Sequence, residues 1–115
     1  MIDNIEFSYD KEGDILEVKF NNLKPTIGIE LNPNIILHYD EEKSLPVRIM
    51  FISYSKLLKL KKIELSGLND IESDKKITVL TLLRTTPLNK LVRLYTEDLK
   101  FIFRNPGINQ LLMVA

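Results

Sequence analysis

Acidic side chains gather in two short segments, and they are the first candidates for chemistry in this chain. Segment 10–14 carries three alternating carboxylates, and segment 40–42 carries three in succession. A calcium-binding helix–loop–helix needs a glutamate at the twelfth loop position and helices on both sides. Counted from Asp10 that position is Asn21, and the flanking sequence alternates as strands do. We therefore expect solvated turn acids, with no metal and no cofactor.

His38 is the only histidine, and the chain has no cysteine. Multi-histidine metal sites, thiolate zinc sites and cysteine nucleophiles are therefore excluded, and a Ser-His-Asp arrangement would have one possible base. The four glycines are scattered and form no phosphate-binding loop. We expect His38 to be a packed or partly exposed strand residue, and the protein not to be an enzyme.

Size and composition indicate one soluble domain. The chain has 115 residues, of which 44% are hydrophobic, enough for a core. No stretch approaches the roughly 20 apolar residues of a membrane span, and the start lacks the features of a signal peptide. We expect a single domain over 1–115, no membrane contact and a cytoplasmic location.

Strict alternation of apolar and polar residues predicts a hairpin in the first twenty residues. Ile5, Phe7 and Tyr9 share one face, and after a turn Leu16, Val18 and Phe20 do the same. Gly13 is expected to supply a positive φ in that turn. One apolar face means that these strands cover a core on one side only.

A second hairpin repeats the Tyr-Asp ending thirty positions later, but it is apolar on both faces. Its inward residues are Ile35, Leu37 and Tyr39 on one strand and Val47, Ile49 and Phe51 on the other. Ile36, Met50 and Ile52 point the opposite way. Strands apolar on both faces are covered on both faces. These three residues are therefore candidate interaction residues, covered by the C-terminal half or by a second copy.

The residues of both hairpins carry a family resemblance. Segment 9–18 (YDKEGDILEV), segment 35–42 (IILHYDEE) and segment 47–58 (VRIMFISYSKLL) resemble the small prokaryotic family called domain of unknown function 2283, over roughly residues 5–60. Tyr54-Ser55 stands where that family prefers Ala-Ser at the start of a short helix. The resemblance implies a β-meander domain. It also implies an antitoxin-like partner role, because members often look like small partner genes beside toxin-like genes.

The C-terminal half, 61–115, is expected to complete the core as an extension. Segment 77–83 fits a buried strand or a helix, with β-branching favouring the strand slightly. From Thr86-Pro87 to Arg104 we favour an amphipathic helix, because its start has a capping residue followed by proline. Its polar face would present Lys90, Arg93, Lys100 and Arg104, with Tyr95, Phe101 and Phe103 in the core. A hairpin around 96–98 is the competing reading.

Charge is divided unevenly along the chain. Through Ile52 there are five Lys/Arg against ten acids, and from Ser53 onward eleven against six. Either the two halves attract each other within one domain, or the basic half contacts an acidic partner or nucleic acid.

The expected fold is α+β: an antiparallel meander of about five strands, a short helix, and a C-terminal amphipathic helix packed on the sheet. The expected function is a non-enzymatic protein-interaction module, antitoxin-like, with a protein partner or a second copy as a homodimer. Nucleic-acid binding through the basic helix face is the alternative.

Overall fold

A computed structural model of the chain describes residues 5–103. Within that range strands come first, and helices and short strands alternate afterwards. The strands are β1 (Glu6–Asp10), β2 (Ile15–Lys19), β3 (Ile27–Asn32), β4 (Ile35–Asp40), β5 (Leu45–Ile52), β6 (Ile63–Glu64), β7 (Val92–Tyr95) and β8 (Lys100–Phe103). The helices are α1 (Tyr54–Leu57) and α2 (Ser73–Arg84), with short 3-10 turns at Ser66–Asn69 and Leu88–Lys90.

The first five strands form an antiparallel sheet in the order β1-β2-β5-β4-β3, called here the large sheet. The α+β class and the antiparallel sheet are therefore confirmed, but the expectation of a simple meander is wrong, because the neighbour of β2 is β5. The connection from β2 to β3 crosses the end of the sheet, and it is tied down where Phe20 N–H donates to the Val47 carbonyl at 2.8 Å. This order places β5, which is apolar on both faces, in the middle of the sheet.

The two Tyr-Asp hairpins are related by a local two-fold axis normal to the sheet. Their strands pair in equivalent registers, allowing for one extra residue at a bulge in β5. Val18 and Ile49 occupy equivalent positions and also face each other across β2 and β5, so the axis passes between them. The equivalent pairs are Tyr9–Leu16 and Tyr39–Pro46, Ser8–Glu17 and His38–Arg48, Phe7–Val18 and Leu37–Ile49, and Glu6–Lys19 and Ile36–Met50.

Both hairpin corners have the same geometry, which differs from the one predicted. Each loop contains four residues, and the last one is left-handed, with φ of 54° at Asp14 and 52° at Ser44. The expected positive φ at Gly13 is therefore wrong. Gly13 instead makes room, because a Cβ there would lie 2.8 Å from Asp10 Oδ2. The Asp10 carboxylate uses that space to accept the Glu12 N–H at 3.1 Å.

The inner face of the large sheet packs against the C-terminal half in one core. Strands β6, β8 and β7 form a second antiparallel sheet in that order, the small sheet. Phe103 of β8 contacts Phe51 of β5 and Tyr54 of α1, with ring centroids 5.2 and 5.6 Å apart. The 3-10 turn at Ser66–Asn69 lies so close to β3 that a Cβ on Gly67 would collide with the Glu30 carbonyl.

Segment 77–83 is helical, so the slight preference for a strand is wrong. It belongs to α2, which buries Val79, Leu82 and Leu83 at helical spacing. The β-branched threonines are accommodated because their hydroxyls donate to carbonyls one turn back, as Thr81 does to Ile77 at 2.8 Å.

The amphipathic helix expected over 87–104 is also wrong, and the competing hairpin is present. β7 and β8 are joined by a loop at 96–99 that ends in Leu99 with φ of 51°. Leu94 and Phe101 fall outside the helical stripe, and they are direct cross-strand neighbours on the inner face of the small sheet. The hairpin buries Phe101 fully and packs the partly buried Leu94 against the core, whereas a helix would place both residues outside its apolar face.

Candidate functional site

An apolar surface lies on the side of the large sheet away from the core. The strand registers align Ile15 with Ile52 and Met50 with both Glu17 and Ile36 on this outer face. We call Ile15, Ile36, Met50 and Ile52 the outer apolar cluster. All four are partly exposed, and none is among the partly buried residues packed against the core. The predicted residues Ile36, Met50 and Ile52 are therefore brought together.

The C-terminal elements within residues 61–103 pack on the inner face and do not cover this outer face. Phe103 contacts Phe51, an inward residue of β5, and Phe101 packs beside Phe103. The expectation that the C-terminal half covers the outer cluster is therefore not met by residues 61–103. Residues 104–115 lie outside the described part of the chain.

A polar row borders the outer apolar cluster. Arg48 Nη1 lies 3.7 Å from Glu17 Oε2, and Arg48 Nε, as donor, lies 3.5 Å from His38 Nδ1. Gly28 on β3 is paired with His38, and the imidazole occupies the space beside it. A Cβ at Gly28 would lie only 3.0 Å from the His38 ring. The histidine is thus fixed at the border of the apolar surface.

Burial lowers the pKa of His38, and the neighbouring Arg48 cation lowers it further, while Glu17 opposes them weakly. A neutral imidazole suits its position as acceptor from Arg48. Among the described residues the hydrogen-bond partner of His38 is this cation, whereas in a Ser-His-Asp triad the histidine is oriented by a carboxylate. His38 is thus arranged for packing and hydrogen bonding.

The acidic corner at 10–14 anchors helix α1. The Asp14 carboxylate accepts hydrogen bonds from the Tyr9 hydroxyl at 2.7 Å, the Ser55 N–H at 3.0 Å and the Ser55 hydroxyl at 2.6 Å. The hydrogen bond from the Ser55 hydroxyl is the main cause that holds the pKa of Asp14 below its ordinary value, and the hydrogen bond from Tyr9 is the second. The carboxylate accepts one backbone N–H of the first turn of α1, as a capping residue would. Its role is structural.

Tyr54, the first residue of α1, packs beside Tyr9 in an edge-on contact with ring centroids 6.0 Å apart. Burial raises the pKa of Tyr54 to about 12. The hydroxyl is buried without a hydrogen-bond partner in the described residues, as is that of Tyr39 at the second corner. Both rings serve as apolar groups in the core.

The predicted basic residues do not form a helix face. Lys90 ends a 3-10 turn, whereas Arg93 on β7 and Lys100 on β8 lie on the outer face of the small sheet; Arg104 lies outside the described residues. Tyr95, expected in the core, shares that face: Lys62 Nζ and Arg93 Cζ lie 4.6 and 5.4 Å from its ring centroid.

Three features of the structure are not predicted by the local sequence pattern. Ile15 is the first residue after a turn, where the alternating pattern begins. It lies on the outer face because it is two residues before Glu17 on the same strand. A helical period places Tyr95 in the core, whereas the hairpin places it on the outer face of the small sheet. The Asp14–Ser55 contact spans 41 residues, and no local pattern specifies it.

Two further observations concern other site classes. In residues 5–103 no group of three or more His, Cys, Asp or Glu side chains is arranged to hold a metal ion. The helices of that same range are all too short or too polar to cross a bilayer.

Residues 6–45 match a family model described as "Protein of unknown function (DUF2283)". The resemblance predicted for the N-terminal half is therefore confirmed, although the match ends at the start of β5 and leaves α1 outside it. No curated protein matches the chain. No solved structure matches it either.

Proposed function

We propose that this protein is a non-enzymatic protein-interaction module of the cytoplasm, which binds a partner protein on the outer face of its large sheet. The observation that carries the proposal is the outer apolar cluster at the centre of a sheet whose other face already holds the core. The four side chains of this cluster are partly exposed, and the described residues do not cover them. Apolar patches rimmed by polar residues mark interaction sites.

The fold itself does not require apolar residues at these positions. By the local two-fold axis, the Ile36–Met50 pair is equivalent to Glu6–Lys19. Lys19 is on an interior strand of the same sheet and is exposed on the same face. A charged residue is therefore tolerated there, and stability alone does not explain the apolar pair.

Charge complementarity indicates the chemistry of the partner. On the outer face the registers place the five carboxylates of Glu6, Asp10, Glu17, Glu30 and Asp40 with the two cations Lys19 and Arg48. Acids are therefore in excess around an apolar centre. The fitting partner presents apolar side chains flanked by lysine or arginine, because like charges across an interface are strongly unfavourable.

The test is affinity capture from the native host, with the partner identified by mass spectrometry. We expect a protein retained by the wild type to be lost with Ile36→Lys or Met50→Lys. Ile77→Lys is the matched control, because Ile77 is an apolar residue on α2 with 64% exposure. Circular dichroism must show that all variants fold. The same proteins bound by every variant would overturn the proposal.

Light scattering during size exclusion separates a partner from a second copy. A monomeric wild type at high concentration agrees with a different partner. A dimer that Met50→Lys converts to monomer would assign this face to self-association and refute the proposed partner.

An antitoxin-like role is the finer form of the proposal, and its support is the family resemblance alone. It predicts a small toxin-like gene beside this one, and rescue of growth when both are expressed together. Rescue should fail with Met50→Lys and persist with Ile77→Lys. An isolated gene would remove this version while leaving the interaction module standing.

A further inference from the structure

We infer that the outer face of the small sheet is a second binding surface, and that it takes single-stranded nucleic acid. This surface consists of Tyr95 together with Lys62, Arg93 and Lys100. It is independent of the proposed protein-binding face, because the inner faces of the two sheets pack together and their outer faces point away from the shared core.

The hairpin register is what assembles the surface. Tyr95 lies directly opposite Lys100, and Arg93 lies opposite Ile102. Phe101 and Leu94 take the inward positions between them, so the intervening residues must point outward. Lys62, just before β6, extends to the same ring, with its Nζ 4.6 Å from the Tyr95 centroid.

Tyr95 is a half-buried aromatic side chain on a solvent-facing sheet surface. Proteins that bind single strands combine aromatic rings, on which bases stack, with cations that contact the backbone phosphates. Sheet surfaces bearing aromatic residues are one established way to bind unpaired bases. Tyr95 supplies the ring here, and the three cations stand around it.

The cations already have contacts, and these are weak enough to be exchanged. Lys62 Nζ lies 3.6 Å from Asp98 Oδ2, with both side chains substantially exposed, and Lys100 faces Glu64 across the strands. Exposed ion pairs contribute little and are screened by salt. An exposed cation–π contact is weaker than a base stacked on an aromatic ring. A nucleotide therefore gains more by stacking on Tyr95 than it loses by displacing Lys62 or Arg93 toward phosphate.

Charge across the molecule favours an anionic ligand on this side. On the surface itself the three cations Lys62, Arg93 and Lys100 outnumber the two acids Glu64 and Asp98 that face them, and residues 53–103 as a whole carry ten Lys/Arg against six acids. The outer face of the large sheet has an excess of acids, so a nucleic acid is repelled there and attracted here. A surface with an aromatic ring at its centre suits unpaired bases better than a duplex, whose bases are stacked on each other.

The experiment measures fluorescence anisotropy of a labelled oligo-uridine, about 15 nucleotides long to exceed a small footprint, with the full chain. We expect log K to fall with log salt with a slope of about −2, since three cations contact a single strand. Tyr95→Ala should weaken binding by about tenfold or more, and Tyr95→Phe should retain it. Arg93→Glu should weaken binding at low salt.

Lys43→Glu is the matched control for charge, because Lys43 is exposed at the far corner of the large sheet. It should leave binding unchanged. Any one of four results would overturn the inference: no binding at low salt, an equal loss with Lys43→Glu, equal affinity for a duplex, or equal binding of a poly-glutamate peptide. The protein-capture experiment is unaffected by these outcomes, so the two proposals can fail separately.

Discussion

The two Tyr-Asp hairpins share one backbone plan and differ in what their side chains do. Both have the same strand registers and a four-residue corner that ends in a left-handed residue. In the first hairpin that residue is Asp14, which binds Tyr9 and Ser55; in the second it is Ser44. On the outer face the first carries Glu6 and Lys19 where the second carries Ile36 and Met50. The repeat fixes the geometry, and the differences assign anchoring to one copy and an apolar surface to the other.

The largest difference is expected between Asp14→Ala and Ser44→Ala. Both substitutions put alanine at a left-handed position, where alanine is disfavoured, and the aspartate that is lost tolerates this conformation better than the serine does. Asp14→Ala also removes the acceptor for Tyr9 and for two donors of Ser55. We expect a fall in Tm that clearly exceeds the fall for Ser44→Ala in thermal melts followed by circular dichroism. Equal falls would show that the anchor to α1 contributes nothing.

Acid should remove the same anchor reversibly. The pKa of Asp14 is held below its ordinary value of 3.8 by hydrogen bonds from Ser55 and Tyr9. The resulting stability is present above pH 3.8 and is lost as the pH falls through the lower pKa of the folded state. The Tm advantage of the wild type over Asp14→Asn should therefore shrink as the pH is lowered below 3.8. An advantage that is constant with pH would contradict this assignment.

The tyrosines of the two Tyr-Asp pairs should respond differently to loss of their hydroxyls. Tyr9→Phe removes a hydrogen bond to Asp14 and should lower the Tm. Tyr39→Phe removes a buried hydroxyl that has no partner in the described residues. We expect it to leave the free energy of unfolding unchanged or to raise it by up to about 1 kcal/mol. Urea denaturation measures both, and a destabilised Tyr39→Phe would reveal a partner for that hydroxyl.

The smallest effects are expected at the equivalent loop positions Gly13 and Lys43. Gly13→Ala requires the Asp10 carboxylate to shift, because the new Cβ would lie 2.8 Å from its Oδ2. The loss of freedom in the unfolded chain offsets this, so both Gly13→Ala and Lys43→Ala should change the free energy of unfolding by about 0.5 kcal/mol or less. A much larger loss at Gly13 alone would mean that the Asp10 carboxylate is held in place.

Sequence periodicity predicts the faces of the four strands in the two Tyr-Asp hairpins, because alternation is a local property of each strand. It identifies Ile36, Met50 and Ile52 as outward residues for the same reason. The order of the sheet and the Asp14–Ser55 anchor depend on residues far apart in the chain, and no local pattern specifies them. In segment 87–104 the helical and the strand periods both fit several residues. Leu94 and Phe101 do not fit the apolar face of the helix, and this is the sequence signal that favours the hairpin.

The local two-fold axis also has a consequence for the edges of the large sheet. Strand β3 occupies the position beside β4, and symmetry places an equivalent position beside β1. Within the described residues that second position is empty, since β1 pairs with β2 alone. Residues 5–103 thus form a sheet that is one strand short of a symmetric arrangement, and the pairing of β3 with β4 specifies the hydrogen-bonding pattern that a strand added beside β1 would adopt.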